Sequence, residues 1–545
     1  MVSKGLSAAS CIAPTSDARE HRLTRLYLPA TDNDGRHVVA TADTSAENLS
    51  WLRAAYPGAR IVGASKKELL TELDLQFGAS LAEDAVCALA RAHPSLSAKT
   101  VITRKQACWF SLAAIVTVAL LAMRPPAAYG VFTGILSAGF IAGTIFRTAL
   151  AWIGGADRDA CPPFADDDAS LPVYTILVPL YREANVLPGL IEALLLLDYP
   201  KDKLDIKLIV EADDRETVAV AEGLEHRGPL HVVRVPPGTP RTKPRACNYA
   251  FPFARGEFTV IYDAEDRPER DQLRKAIAQF RRGQRSIACL QARLNFYNAN
   301  ENWLTRLFAL DYALWFDVLM PGLEKLRVPM PLGGTSNHFR TSALKTVGAW
   351  DPFNVTEDAD LGIRLAQMGM RVAMLDSTTF EESPTTLGAW LKQRSRWLKG
   401  YMQTWLVHMR DPAALRRRTG WRGLLSLQLF LGGSVISALV NPLLWLMFVL
   451  SGHFGVPAQS PLAELSLTSI SAIGLVGGNA MLTWLAIIAP QRRGWNSLAP
   501  YGFTVTLYWG LISLAAWRAL WQLITRPFHW EKTAHGLSRF GQHRN

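Results

Sequence analysis

The chain has 545 residues, 49% of them apolar and only 19% charged, with 17 Trp and a net charge of +11, which gives room for several domains and suits a solvent that is partly lipid. The positive charge crowds the edges of apolar segments, without zinc-finger spacing or an aromatic RNA-binding signature, so an anionic membrane surface is expected and nucleic acid is not. Scattered cysteines (Cys11, Cys87, Cys108, Cys161, Cys247, Cys289) with no Cys-x-x-Cys pair exclude a disulfide scaffold or zinc site and fit a reduced cytosolic setting.

Residues 1–30 lack the continuous apolar core of a secretory signal, so the N-terminus is expected in the cytoplasm. Residues 1–100 read as a small cytoplasmic domain with a helical pattern over Ser65–Leu89. A transmembrane hairpin over 107–153 follows, Ala107–Met123 and Ala128–Ile153 turning at Arg124 and two prolines. After a Pro/Asp-rich linker, residues 172–400 alternate short β-branched runs with helical patterns. The strands are Val173–Val178, Asp205–Val210, His231–Val235 and Phe258–Tyr262; the helices are Glu183–Leu197, Arg215–Glu225, Lys243–Ala254 and Glu269–Arg281. This predicts an α/β domain with a mostly parallel sheet covered on both faces, its ligands at the carboxyl ends of the strands.

A basic, aromatic juxtamembrane segment over 401–423 leads to two spans within 424–489, Leu424–Leu450 and Leu465–Ala489. The loop Ser451–Glu464 carries no Lys or Arg, whereas Arg492, Arg493 and the tail are basic. Four crossings keep these basic groups and the α/β domain in the cytoplasm, and Leu498–Ile524 is then an interfacial helix before a cytoplasmic tail, within 498–545. A split of Leu424–Leu450 at Asn441 and Pro442 is the competing topology.

Four groups of residues carry chemistry. Glu211, Asp213 and Asp214 follow the second strand; a carboxylate there can accept a uracil imide N–H, and a solvated turn or helix cap would look the same. Asp263 and Glu265, beside Asp266, form an acid-x-acid turn able to share Mg²⁺ or Mn²⁺ with a diphosphate, though acid pairs at strand ends are common. Glu357, Asp358 and Asp360 open a helix, where capping competes with a role for Asp358 as general base to an acceptor hydroxyl. Gln393, Arg396 and Trp397 share one helical face offering an amide, a guanidinium for a diphosphate and a flat wall for a sugar; an amphipathic juxtamembrane helix explains the charge but not the trio.

In this order the four groups resemble the membrane-integrated family 2 glycosyltransferases, the cellulose, hyaluronan and curdlan synthases, over Pro172–Gly400. The resemblance implies a GT-A fold (Rossmann-like, for nucleotide-diphospho-sugars) inserted between transmembrane helices, a UDP-sugar donor, and Mg²⁺ or Mn²⁺ as cofactor. By it, Asp358 is the catalytic base and Asp263 with Glu265 the metal ligands. Donor binding falls to Tyr181, Glu183, Asp213, Lys243, Asn248 and Arg396, and acceptor binding to Gly334, Glu357, Gln393 and Trp397. Trp530, Lys532 and Thr533 stand where the synthases carry a gating loop; a basic juxtamembrane tail is the equal alternative. The N-terminal domain loosely resembles the small domain that opens type II secretion ATPases.

The expected product is a β-linked polysaccharide made at a bacterial inner membrane, with UDP-glucose as default donor. Four spans are few for exporting a polymer, so either a homo-oligomer or export partner completes a channel or the acceptor is a lipid such as diacylglycerol. A catalytically inactive receptor would show a degraded metal motif or a lost base, and every acid is in place.

Overall fold

A computed structural model describes residues 16–32, 34–123, 125–155, 167–454, 466, 469–532, 536 and 538. The chain packs as two compact units. The first comprises Met1–Ala88, Pro172–Ala184 and Pro200–Thr259; the second comprises Leu89–Leu171, Asn185–Tyr199 and Val260–Asn545.

In the first unit, β1 (Tyr27–Thr31) pairs antiparallel with β2 (His37–Thr41), and β2 pairs parallel with β3 (Arg60–Gly63). Tyr27, Val39 and Leu52 form the core of this small domain. The helix expected over Ser65–Leu89 runs Lys66–Ala92 because Leu69, Leu70, Leu73, Phe77, Leu81 and Ala85 recur at helical spacing and are all buried. Its Asp74 accepts a 2.5 Å hydrogen bond from Tyr249, so this helix packs on the helix Lys243–Ala250.

Three parallel strands follow, β4 (Tyr174–Leu180), β5 (Leu204–Glu211) and β6 (Leu230–Val235), in the order β6-β5-β4. Every residue of β4 and β5 is buried, as in a parallel sheet covered on both faces. Asp205 and Lys207, both fully buried on β5, pair at 3.1 Å. Burial alone would raise the Asp205 carboxyl, but Lys207, Arg255 and Lys66 hold it well below the usual range, while burial pulls Lys207 down to about 8.

β7 (Phe258–Ile261) runs from the first unit into the second, which adds β8 (Arg267–Pro268), β9 (Ile287–Phe296), β10 (Asn337–Arg340) and β11 (Arg371–Glu381) in the order β7-β10-β9-β11-β8. Here β10 lies antiparallel to β9, β11 parallel to β9, and β8 antiparallel to β11. The sheet is therefore more mixed than the sequence led us to expect. The early βαβ units impose parallel strands, and the later strands depart from that pattern. A parallel half followed by a mixed half is the GT-A arrangement.

Five described helical stretches are long and apolar enough to cross a membrane, by length and composition: Arg104–Met123, Ala128–Gly154, Pro412–Leu450, Ser469–Arg493 and Asn496–Thr525. Arg104–Met123 buries none of its residues. The competing split at Asn441 and Pro442 is absent, since the helix Gly433–Phe454 continues through Pro442. The helix Val505–Thr525 lays one face on the helix Leu387–His408, with Tyr508 5.1 Å from Trp390 and bonded to Arg394 at 2.8 Å. Its other face exposes Leu507, Leu514, Trp517, Trp521 and Ile524.

Candidate active site

Past β5 the acids divide their work. Asp214 caps the helix Arg215–Leu224 by accepting from Thr217 N and also takes the backbone N–H of Arg182, so the capping reading belongs to it. Asp213 instead pairs with Arg241 at 2.6 Å. Arg241 also donates to the Tyr181 hydroxyl at 3.3 Å and lies 5.5 Å from that ring's centre. The hydrogen bond from Arg241 keeps the Asp213 carboxyl below its ordinary value. Glu183 accepts from Tyr181 N at 3.2 Å, and Arg182 sits in the left-handed region (φ 54°), which turns the loop between them. Tyr181, Glu183 and Asp213 thus form one cradle. Lys243 opens its helix, whereas Asn248 donates to the Ala85 carbonyl at 3.1 Å and so reaches the N-terminal segment.

The strand β7 runs into an acidic turn whose side chains alternate. Tyr262, Ala264 and Asp266 are buried, while Asp263 and Glu265 are only partly covered. This is the i, i+2 arrangement expected of the two ligands. Asp266 shapes the turn, accepting from Asp263 N at 2.7 Å and from the Thr335 hydroxyl. Burial, then the nearby Asp263 and Glu265, push its carboxyl well above the ordinary range, and its Oδ1 is buried without a hydrogen-bond partner. Crowded acid of this kind fits a divalent cation. Among the described residues no group of three or more His, Cys, Asp or Glu side chains could hold one alone, so substrate oxygens would have to complete the set.

Asp358 lies in the first turn of the helix Glu357–Gln367, where the exposed N–H groups favour a carboxylate, and its Oδ1 accepts from Ala359 N at 2.7 Å. A Cβ on Gly334 would stand 3.2 Å from Asp358 Oδ2, which places that loop directly against the carboxylate. Glu357 is buried beside it. Asp360 is structural: fully buried, it pairs with Arg364 at 2.6 Å and His408 at 2.9 Å and ties this helix to Leu387–His408. Gly400 is needed where the two meet, since a Cβ there would fall 2.2 Å from Thr356 Oγ1.

On the helix Leu387–His408 the trio separates. Burial lowers the Arg396 guanidinium, and Glu357, Asp263, Asp358 and Glu265 all act to raise it. The four expected carboxylates of the metal turn and the base helix are therefore all near enough to act on the charge of one arginine. Gln393 is buried with its Oε1 unpartnered. Trp397 packs within an aromatic cluster, 5.7 Å from Phe308 and 5.9 Å from Tyr312, with Arg394 4.9 Å from its ring.

The tail straps this helix. Arg396 donates to the Glu531 carbonyl at 2.8 Å and stands 4.9 Å from the Trp530 ring. Lys399 donates to the His529 carbonyl at 2.6 Å, and Gln403 to that of Pro527 at 3.1 Å. Glu382 accepts from Gly536 N and Ser538 N, each at 2.7 Å. Trp530 is thus brought to Arg396; Lys532 follows it in the tail, and Thr533 lies outside the described residues. Sequence reasoning singled out neither Arg241, Asp266, Lys399 nor Glu382 as site residues. Asp266 adjoins the acid-x-acid turn and Arg241 lies two residues before Lys243; no pattern pointed to Lys399 as a tail anchor or to Glu382.

Residues 172–400 match the family model described as "Glycosyltransferase like family 2". A beta-monoglucosyldiacylglycerol synthase of Synechocystis is 26% identical over 73% of this chain and 82% of its own length. Glucomannan 4-beta-mannosyltransferase 1 of Oryza sativa is 27% identical over 49% of this chain, which spans about half (53%) of that relative. Among solved structures, the Pyrobaculum calidifontis mannosyltransferase PcManGT, in complex with GDP-Man and Mn²⁺, covers 72% of this chain and 99% of its own at 21% identity, with a TM-score of 0.44. Residues 172–400 are thus a family 2-like glycosyltransferase domain, in a chain whose described residues include five helices long and apolar enough to cross a membrane.

Proposed function

We propose that this protein transfers one hexose, with inversion, from a UDP-sugar to a hydroxyl of a membrane lipid such as diacylglycerol, at the cytoplasmic face of a bacterial inner membrane. The observation that carries this reading is the seating of Asp358 against the Gly334 loop, 3.2 Å from where a Cβ would stand and beside the buried Glu357, with the charges of Asp263, Glu265, Glu357 and Asp358 all acting on Arg396. It supplies a base, a cation site and a counter-charge for a departing diphosphate in one place.

Asp358 accepts the proton of the acceptor hydroxyl as that oxygen bonds the anomeric carbon. The bond from that carbon to the donor phosphate breaks on the opposite face, and the nucleoside diphosphate leaves with the electron pair. Arg396 offsets its charge. A divalent cation held by Asp263 and Glu265 would supply further charge neutralisation when bound. Asp213, Tyr181 and Glu183 are assigned to the nucleoside, Lys243 to the diphosphate, and Gly334, Glu357, Gln393 and Trp397 to the acceptor.

Two observations favour a lipid acceptor. The diacylglycerol synthase relative matches across most of both chains, whereas the glucomannan relative matches over about half. The helix Val505–Thr525, inner face on the Gln393–Trp397 helix and outer face apolar, suits a position in the membrane interface. The second reading, a processive β-glycan synthase, is favoured by the strap of Trp530 and its neighbours over Arg396.

Purified protein supplied with radiolabelled UDP-sugars, Mg²⁺ or Mn²⁺ and diacylglycerol in mixed micelles tests this. A labelled lipid carrying a single sugar is expected. Label confined to high-molecular-weight glycan overturns the lipid assignment in favour of the polymer.

A further inference from the structure

A cavity of about 270 Å³ within the second unit is lined by Arg293, Asp317, Thr378, Phe380, Arg492, Arg493 and Trp495, none of them assigned to the transfer reaction. Three guanidiniums in so small a space need explaining. Asp317, fully buried, pairs with Arg493 through both carboxylate oxygens, and Arg293 lies 3.5 Å from it and pairs with Asp376. Arg492 differs from both. It donates to two main-chain carbonyls, Gly154 at 3.2 Å and Asp317 at 3.4 Å, and among the described residues pairs with no carboxylate. Asp317 and Asp376 pair with Arg293 and Arg493, and the charge of Glu324 also acts on Arg293, so Arg492 is the arginine that no carboxylate pairs among the described residues. Arg293 is also 8% exposed, and its buried Nε makes no hydrogen bond but faces Asp317 Oδ1 at 3.5 Å. A guanidinium held only by main-chain carbonyls at a cavity wall suits an anion.

The cavity's height relative to the lipid follows from the chain. Gly154 ends the span Ala128–Gly154, Arg493 ends Ser469–Arg493, and Asn496 begins Asn496–Thr525. Two apolar helices therefore end at this level and the proposed interfacial helix begins there, where phospholipid head groups lie. Trp495, stacked on Phe380 at 6.4 Å and 5.7 Å from Arg493, supplies the aromatic surface common at that boundary. The volume is below that of most cofactor pockets and suits a head group.

We propose that this cavity binds the phosphate group of an anionic phospholipid, with Arg492 as its principal charge partner. The single negative charge of a phosphodiester would pair the Arg492 guanidinium, which otherwise meets only main-chain carbonyls. The site stands apart from the transfer chemistry and serves whichever acceptor the enzyme uses.

The test reads binding, not transfer, so its failure is distinct from failure of the proposed reaction. Full-length protein in phosphatidylcholine nanodiscs is titrated with phosphatidylglycerol, and bound lipid is counted by native mass spectrometry. Wild type is expected to retain phosphatidylglycerol over phosphatidylcholine, Arg492→Gln to weaken retention by about tenfold or more, and Arg492→Lys to recover most of it. Equal retention of the two lipids, or unchanged retention in Arg492→Gln, overturns the proposal. Inorganic phosphate displacing the lipid at equal concentration assigns the cavity to free phosphate and overturns the lipid. Unchanged thermal unfolding of the Arg492→Lys variant guards the comparison against misfolding.

Discussion

Asp213 and Asp263 each stand just past the end of a buried strand, and the protein treats the two charges in opposite ways. Asp213 meets Arg241 at 2.6 Å on a partly exposed surface, so its carboxylate is stabilised before any ligand arrives. Asp263 sits among acids: Glu265 two residues on and Asp266 so crowded and buried that its carboxyl is driven well up. A matched acid can orient a polar ring through hydrogen bonds. A crowded group of acids stores repulsion that a cation relieves. The same residue type in similar sequence settings thus suits the proposed recognition role in one case and the proposed cation site in the other.

That contrast can be broken by experiment. Chelation of divalent ions with EDTA should abolish transfer and restoration with Mn²⁺ should recover it; activity persisting in EDTA would remove the cation from the crowded turn. Asp263→Ala should lower Mn²⁺-dependent donor affinity by about 10- to 100-fold, the usual consequence of losing support at a metal site. Mn²⁺ dependence measured by calorimetry and found unaltered would contradict the ligand assignment. Asp213→Ala should act more gently, raising KM for the donor by about tenfold while leaving kcat and the Mn²⁺ requirement near wild type. A loss of the Mn²⁺ response in this variant would erase the distinction between the two turns. Smallest is Asp266→Ala, which removes the acceptor for Asp263 N and the Thr335 hydroxyl and should cost about 1–3 kcal/mol in denaturant unfolding, with Asp266→Asn, which keeps an accepting oxygen, less affected.

Much of this was legible in the sequence because local chemistry dictates it. Continuous β-branched runs gave β4, β5 and β7, and the acids at their ends fell on turns. The helix at Asp358 and the shared face of Gln393 and Arg396 follow from spacing alone. The mixed order of the later strands did not show, because β8 is two residues long and β10 four, too short to carry a period. Division of labour within a motif was equally hidden. Asp213 and Asp214 are neighbours with one chemistry, and only the position of Arg241 and Thr217 separates a candidate ligand-binding group from a cap. Asp360 resembled a third site acid until its burial against Arg364 and His408 showed a bolt between helices. The strap over Arg396 depends on main-chain carbonyls of the tail, which side-chain patterns do not encode.

In the proposed reaction Asp358 is the proton acceptor beside the acidic turn of Asp263 and Glu265. Single-turnover transfer and equilibrium UDP binding, measured together on Asp358→Asn, test it most directly. The amide cannot take a proton, so transfer should fall by about 10²- to 10⁴-fold while UDP affinity stays within a factor of two or so of wild type. Transfer at near wild-type rate, or a collapse of UDP binding that accounts for the whole loss, would contradict it.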